Sequence, residues 1–253
     1  MSERPDYFDR YHSIAFARGD AGVLEMRLHT REGPALWGTS LKSLHTELGQ
    51  AFVDIARDPA NRVLILTGTG DSFIAGMDRD ENFHEPSLAH AWPRIYDEGI
   101  ALLRNLLDLP FPVIAAVNGP ALIHAELAVL SDIVLASETA IFADAAHMPG
   151  AVPGDGVHTV WTMLLGPNRG RYFLLTNERI GAQEARALGV VGEVLPSDQL
   201  LPRARELAAQ LAQSSRETLR FSRSLLTHEL RQKLNAQLGS GLAHEALAML
   251  LPR

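Results

Sequence analysis

The sequence predicts an α/β fold. Apolar runs of strand length, among them RVLILTGTG, PFPVIAAVNG and SDIVLAS, are separated by stretches with helical periodicity. Strands that alternate with helices are typical of a sheet built from β-α-β units, and not of a sandwich. Beyond Thr159 the pattern becomes almost wholly helical. We therefore predict an α/β core over residues 1–195 and a helical C-terminal region over residues 196–253.

The N-terminal elements follow in order from local patterns. SIAFARGDAGVLEMRLHT places two apolar runs around the turn residues Gly19, Asp20 and Gly22, which predicts a hairpin. Apolar residues three and four apart predict a helix over residues 40–57, with Thr39 or Ser40 as its cap. After the strand RVLILTGTG and an irregular stretch, we expect a second helix over residues 97–109. The segments PFPVIAAVNG and SDIVLAS then supply two further strands.

The C-terminal half reads as a series of helices. TVWTMLLG, NRGRYFLLT, AQEARALG and DQLLPRARELAAQLAQ have helical patterns, and GVVGEVLP interrupts them as one short strand. The last forty residues predict two more helices, joined near residues 238–242. Their apolar spacing suits either packing against a second copy of the chain or an internal core.

Composition excludes several classes of protein. The 253 residues carry 30 acidic and 23 basic side chains, a net charge of −7, which disfavours a nucleic-acid partner. The chain has no cysteine, so disulfides, thiolate nucleophiles and cysteine metal sites are excluded. MSERPDYFDRYH lacks the pattern of a signal peptide, and polar residues interrupt the apolar stretch PVIAAVNGPALIHAELAVL. We expect a soluble cytoplasmic protein without a membrane or nucleic-acid partner.

One loop carries candidate chemistry. In AAHMPGAVPGDGVHTVW, His147 and Asp155 lie on either side of a stretch rich in glycine and proline. A histidine whose second ring nitrogen bonds to a carboxylate is a suitable general base near neutral pH. The alternative is a loop histidine and an aspartate that caps the following helix. Spacing alone leaves both interpretations open.

Several segments resemble one known family over nearly the whole chain. LILTGTGDSFIAGMDRDENF, PVIAAVNGPAL, SDIVLASETAIFAD, VPGDG and AHEA are similar, in order and spacing, to the crotonase (enoyl-CoA hydratase/isomerase) superfamily. The resemblance implies a spiral of β-β-α units with a helical C-terminal trimerisation region, assembled as a homotrimer or a dimer of trimers. It also implies an oxyanion stabilised by preorganised donors, without a cofactor or a metal.

The departures from that family's hydratases are informative. Where hydratases carry a glycine run with an oxyanion N–H, this chain reads LIHAEL, with His124. Where they carry a glutamate after the next strand, it has Ala146 and His147. Glu126 lies near the position of the other hydratase glutamate. We therefore expect poor enoyl-CoA hydratase activity.

A finer similarity is to the β-diketone hydrolases of this superfamily, carried by NGP…HAE, AAHMPGAVPGDGVH, LLGPNRGRYFLLT and GLAHEALA. It implies a retro-Claisen hydrolysis of a small cyclic or bicyclic diketone. It makes His147 the base oriented by Asp155, and it makes His124, with Trp37, the donor to the enolate. The similarity implies two further groups. Glu245 would orient water or move a proton, and His45 would support a neighbouring side chain.

Each assignment has a plainer alternative. The pattern around His124 is also typical of a buried histidine on an apolar helix, and Trp37 could be an ordinary core residue. Glu245 could be a solvated charge on a helix, and His45 could simply support a neighbouring side chain. Phe83 and Trp92 are candidates for the wall of an apolar pocket, or for core packing.

Three other functions remain open. A CoA-thioester isomerase or hydrolase would use Asp155 or Glu126. The second possibility is a binding module without catalysis. A metallohydrolase is the third, although no HxxxH or HxH spacing lies on a predicted helix or strand.

Overall fold

A computed structural model describes residues 4–81, 86–144 and 152–250. In this part of the chain, six strands form a sheet in the order β1-β2-β4-β6-β7-β10. β1 is antiparallel to β2, and every other neighbouring pair is parallel. The strands are β1 (Ile14–Arg18), β2 (Val23–Leu28), β3 (Leu36–Trp37), β4 (Val63–Gly68), β5 (Gly76–Met77), β6 (Val113–Val117), β7 (Ile133–Ser137), β8 (Ile141–Phe142), β9 (Ile180–Gly181) and β10 (Glu193–Leu195).

Helices connect these strands and follow the last of them. They are α1 (Leu44–Arg57), α2 (Leu88–Leu107), α3 (Glu126–Val129), α4 (Val157–Leu164), α5 (Pro167–Thr176), α6 (Ala182–Ala187), α7 (Ser197–Leu211), α8 (Arg216–Leu226) and α9 (His228–Leu250). None of the helices in the described ranges combines the length and apolarity needed to cross a bilayer.

Strand β4 shows why the sheet is covered on both sides. All six of its residues are buried, as expected for a central parallel strand. Leu64 and Leu66 face the large core that includes α1 and α2, whereas Val63 and Ile65 face α7. The period-two alternation of a strand therefore divides a continuous apolar run between two layers.

Short second strands give the fold its spiral character. After β2 and β4, the chain adds β3 and β5, which pair in parallel. The residues after β6 continue this layer, because Ala121 bridges both Ile74 and Phe142. Successive turns thus add one strand to the large sheet and one short segment to a second layer. This second layer supports the candidate site.

The structure confirms the predicted strands and the hairpin, with Ile14 opposite Leu28 and Arg18 opposite Leu24. Helix α1 begins later than predicted, at Leu44 with Ser43 as N-cap, because residues 40–43 form a turn instead. Helix α2 begins nine residues earlier than predicted and contains Pro93 near its start. Because proline disrupts helical hydrogen bonding, the residues around Pro93 were not predicted to be helical.

The predicted joint near residues 238–242 is wrong. The break falls at Thr227, and α9 runs without interruption from His228 to Leu250. The small residues in this stretch serve close packing. A Cβ built on Gly241 would lie 2.2 Å from the carbonyl oxygen of Gly154. The domain boundary at residue 195 stays a prediction.

Candidate active site

One cavity, of about 290 Å³, gathers six of the predicted site residues. They come from distant segments and line it together: Trp37, His45, Trp92, His124, Asp155 and Glu245. Apolar side chains form much of the remaining wall: Met77, Leu88, Ile95, Leu242 and Met249. Two predicted residues, Phe83 and His147, lie outside the described residues. The cavity is therefore a hydrocarbon-rich space with a few polar groups, the usual form of a small-molecule site.

His124 is set into this cavity by an uncommon backbone conformation. It does not belong to an apolar helix, because it precedes the short helix α3 and has a φ of +52°. A left-handed conformation is unfavourable for a residue with a Cβ and is often found at functional sites. The N–H of Ala125, the next residue, donates to the buried carboxyl of Asp144. This bond helps to hold the turn that carries the imidazole.

The His124 ring lies between two carboxyl groups. Its Nδ1 is 2.5 Å from Oε1 of Glu126, and its Nε2 is 3.4 Å from Oδ2 of Asp155. One atom from each of the three residues lies within 4.8 Å of the others, so a metal is geometrically conceivable. However, two ligands on a tetrahedral zinc are about 3.3 Å apart, given bonds of about 2 Å. The shorter His124–Glu126 distance is that of a hydrogen bond, and we interpret the group accordingly.

Several carboxyl groups near His124 are buried with few compensating charges. Burial raises the pKa of Glu126, and the charge of Asp155 raises it further. Burial likewise raises the pKa of Asp144, with a contribution from Glu126. The pKa of Glu245 rises to about 9, first through burial and then through Asp155 and Glu126. Burial therefore favours the protonated form of Glu126, Asp144 and Glu245, which suits the storage and transfer of protons.

Three buried oxygen atoms at the site have no hydrogen-bond partner among the described residues. They are Oε2 of Glu126, Oδ1 of Asp155 and Oε2 of Glu245. Buried polar atoms are normally paired, and exceptions are common where a substrate or water binds. The oxygens of Asp155 and Glu245 belong to residues that line the cavity.

His45 is held on the opposite side by a charged network. Its Nδ1 is 3.1 Å from Oε2 of Glu98, the same oxygen that accepts from Thr46 at 3.0 Å and from Arg94 at 2.7 Å. Burial lowers the pKa of His45, although Glu98 opposes this shift. A neutral His45 with Nδ1–H directed at Glu98 follows from these contacts. Its ring also meets Trp37 edge to face, with centroids 5.7 Å apart.

Asp155 and Glu245 are positioned by a contact between two chain segments. Asp155 lies in the turn before α4, and Glu245 lies on α9. Gly154 allows this turn to approach the helix, because a Cβ there would be 2.2 Å from the Gly241 oxygen and 2.9 Å from Cβ of Glu245. The glycines in VPGDG and GSGLAHE therefore bring the two acids into one cavity.

Sequence reasoning did not assign three supporting residues. Glu126 entered only as an acid for a CoA-thioester enzyme, and Asp144 and Glu98 were not considered. Asp144 accepts hydrogen bonds from the Ala125 N–H and from Trp161 Nε1. The spacing HAE was the one available signal, because it places an acid two residues after His124. Asp144 and Glu98 contact the site only through the tertiary fold.

The fold and the site together define the class of protein, and the chain belongs to the enoyl-CoA hydratase/isomerase family, whose model matches residues 18–244. A solved structure of a β-diketone hydrolase from the cyanobacterium Anabaena sp. PCC 7120, bound to (S)-3-oxocyclohexyl acetic acid, is 44% identical. The match covers 97% of each chain with a TM-score of 0.89.

Two curated relatives carry the names of CoA enzymes. A probable enoyl-CoA hydratase of Mycobacterium bovis is 32% identical over 71% of this chain and 65% of its own length. A carnitinyl-CoA dehydratase of Salmonella typhimurium is 38% identical over 66% of this chain and 64% of its own length. The matched part thus spans just under two thirds of these relatives. These similar proteins differ in the reaction for which they are named.

Proposed function

We propose that this protein hydrolyses a C–C bond of a cyclic or bicyclic β-diketone by a retro-Claisen reaction, in the manner of 6-oxocamphor hydrolase. The observation that carries the proposal is the composition of the cavity. Apolar side chains surround two histidines, His45 and His124, and the carboxyl groups of Asp155 and Glu245. A diketone offers a hydrocarbon frame and two carbonyl oxygens, which match such a wall and such polar groups.

The reaction needs water at one carbonyl and charge stabilisation at the other. Water adds to the first carbonyl carbon as its proton passes to a base. The bond between this carbon and the carbon shared by both carbonyls then breaks, and its electron pair becomes an enolate on the second oxygen. Protonation of the enolate carbon completes a keto acid. The product is the substrate plus one water, and no electrons are gained or lost.

Residue roles follow from the chemistry of each group. His147 acts as the base, with Asp155 accepting a hydrogen bond from its other nitrogen. His124 donates to the developing enolate oxygen, a form of stabilisation that typically contributes several kcal/mol, about 2.7–4 for one donor. Glu245, whose pKa is raised to about 9, holds a proton at neutral pH and returns it to the enolate carbon. Trp37 stacks on His124 and limits its rotation.

The relative from Anabaena supports this class of substrate. Its bound molecule is a keto acid in which a cyclohexanone carries an acetic acid arm. Removal of one water, with closure of a C–C bond, converts such an acid into bicyclo[2.2.2]octane-2,6-dione. This compound is a symmetrical bicyclic 1,3-diketone. We infer that similar diketones are substrates of the present chain.

A CoA thioester is the second candidate, favoured by the names of the curated relatives. Such an enzyme would stabilise a thioester enolate at His124 and use Asp155 or Glu126 as its acid or base. An acyl-CoA panel monitored by calorimetry separates this candidate from the first. Binding of an acyl-CoA without any reaction on diketones would favour it.

The primary test is incubation of the purified protein with bicyclo[2.2.2]octane-2,6-dione, followed by mass spectrometry. We expect a keto acid heavier than the substrate by one water, without added CoA. The Asp155→Asn and His147→Ala variants should lose activity by about a hundredfold or more, as general-base catalysis typically contributes that much. If wild type forms no product on this and related ring sizes, the proposal is wrong. Full activity in both variants would reject the proposed base.

A further inference from the structure

We propose that Glu126 is a positioning residue whose carboxylic acid O–H donates to Nδ1 of His124, so that the proton of His124 sits on Nε2 and faces the cavity. The importance of this arrangement for catalysis rests on the proposed function. The arrangement itself is a property of the protein alone and can be measured without substrate.

The contact between Glu126 and His124 requires one proton. Glu126 is fully buried, and its Oε1 lies 2.5 Å from Nδ1 of the imidazole. At this distance the two atoms share a hydrogen. Two neutral-histidine arrangements exist: Nδ1–H donating to a carboxylate, or a carboxylic acid donating to an unprotonated Nδ1. They place the remaining ring proton differently.

The other side of the ring distinguishes the two arrangements. Nε2 of His124 lies 3.4 Å from Oδ2 of Asp155, in the same cavity wall. If Nδ1 carried the proton, an unprotonated Nε2 would face a carboxylate oxygen, and two acceptors would oppose each other. If Nε2 carries it, the N–H lies beside the Asp155 oxygen, a favourable charge contact, and is available in the complex to a substrate oxygen. The geometry therefore favours the Nε2–H tautomer.

The surrounding charges also favour a neutral Glu126. The titratable groups that face this pair come from four elements: His45 on α1, Asp144 after β8, Asp155 before α4 and Glu245 on α9. Burial and the Asp155 charge raise the pKa of Glu126 well above its usual value, and they outweigh the opposing hydrogen bonds from the backbone and from Asp144. Burial lowers the pKa of His124, which disfavours an imidazolium. A neutral acid donating to a neutral imidazole satisfies both constraints.

This tautomer has a consequence for the reaction. An enolate oxygen needs a donor, and His124 offers one to the cavity only when Nε2 is protonated. With Glu126 ionised, the ring would present a lone pair to the developing negative charge. Glu126 thus acts through His124 and does not itself contact substrate, which makes its effect one on kcat more than on KM.

The test combines spectroscopy with two variants. Protein labelled with ¹⁵N at histidine is examined by NMR at neutral pH, and the His124 signals are assigned by their loss in His124→Asn, since asparagine tolerates a left-handed backbone. We expect an unprotonated Nδ1 and a protonated Nε2 in wild type and in Glu126→Gln, whose amide N–H₂ can donate. Glu126→Met, similar in length but without a donor, should show mixed tautomers.

Kinetics provide the second readout. Glu126→Met should lower kcat by about tenfold or more, equivalent to the loss of about 1.4 kcal/mol, with KM little changed. Glu126→Gln should retain most of kcat and lose the part of the alkaline decline that ionisation of Glu126 produces in wild type, while the part due to Glu245 remains. An Nδ1–H tautomer in wild type, or an unaltered tautomer in Glu126→Met, would overturn the proposal. Since the spectra need no substrate, an inactive diketone assay would reject only the proposed function.

Discussion

The indole ring of Trp37 stacks on the imidazole of His124, with ring centroids 3.8 Å apart and planes inclined by 30°. Trp37 comes from β3 of the second layer, and His124 from the turn before α3. The stack limits rotation of the imidazole, while Glu126 and Asp155 contact its two nitrogens. Three neighbours from separate segments therefore fix one ring in one plane, which is the preorganisation that an oxyanion donor requires.

The stacking contact predicts a graded effect of substitutions at Trp37. Phenylalanine retains an aromatic face but lacks the indole N–H, and leucine lacks both. We expect Trp37→Leu to lower kcat on a diketone by about tenfold or more, equivalent to about 1.4 kcal/mol, because the His124 ring loses the aromatic face that orients it. Trp37→Phe should lower kcat only a fewfold if stacking is the main contribution of Trp37. Equal losses in both would show that the indole N–H itself donates, and normal kcat in both would remove Trp37 from the site.

Gly154 predicts a second effect, at a distance from the chemistry. Alanine there would bring a Cβ to 2.2 Å from the Gly241 oxygen and 2.9 Å from Cβ of Glu245. The turn must then move away from α9, which separates Asp155 from Glu245. We expect Gly154→Ala to lose about 1–3 kcal/mol of stability, the usual cost of overpacking, and most of its activity.

Gly181→Ala is the matched control for this variant. Gly181 has an ordinary φ of −76°, and a Cβ there meets no atom within 4 Å. Its melting temperature and activity should stay close to wild type. Differential scanning calorimetry and the diketone assay provide both comparisons. A Gly154→Ala variant that matches Gly181→Ala would contradict the close-packing explanation.

Glu245 predicts how stability depends on pH. Its pKa in the folded state is about 9, against an ordinary value of 4.5. The folded state therefore binds this proton more tightly than the unfolded state, and the contribution to stability is complete below about pH 4.5. It is lost progressively as pH rises towards 9. Glu245→Gln, which cannot ionise, should melt at a higher temperature than wild type at pH 8.

Thermal melts of the two proteins across pH 5 to 9 test this expectation. The difference should shrink towards pH 5, and about 2–4 °C is expected for each kcal/mol in a chain of this size. Activity should fall in the same variant, because Glu245 is a proposed proton donor. A difference that is constant with pH would show that Glu245 does not titrate in this range.

Helix α8 predicts an assembly of identical chains. Phe221, Leu225 and Leu226 are 60%, 79% and 83% exposed on it. Adjacent exposed apolar side chains are typical of an interface, and the family resemblance implies trimers or dimers of trimers. We expect light scattering to give a mass three or six times that of the chain. Leu225→Glu should shift the protein to smaller species.

Gln210→Glu is the control for the charge alone, because Gln210 is an exposed polar position on α7. It should leave the oligomeric mass unchanged. A monomeric wild-type protein across a wide range of concentrations would refute the expected assembly.

Local patterns predicted most of the large sheet, because its strands are continuous apolar runs bounded by turn residues. The buried run VLILTG became β4, and the paired runs around Gly19 became the hairpin. Helix boundaries were less accurate. The joint predicted near residues 238–242 is absent, and the two glycines there lie inside α9, where Gly239 packs against Tyr96 and Gly241 against Gly154. A single sequence does not distinguish a glycine that ends a helix from one that admits a neighbour.

The sequence by itself determined which polar side chains are available for a site. The family resemblance then indicated which of these side chains are candidates for catalysis. It named His45, His124, Asp155 and Glu245, all of which line the cavity. The tertiary structure alone decided the contacts between them, because the partners lie in different elements. The sequence gives no reason to assign Asp144 and Glu98 to the site, because only the fold places them beside His124 and His45. Burial in a medium of low polarity sets which carboxyl groups keep their protons, and burial is a property of the whole fold.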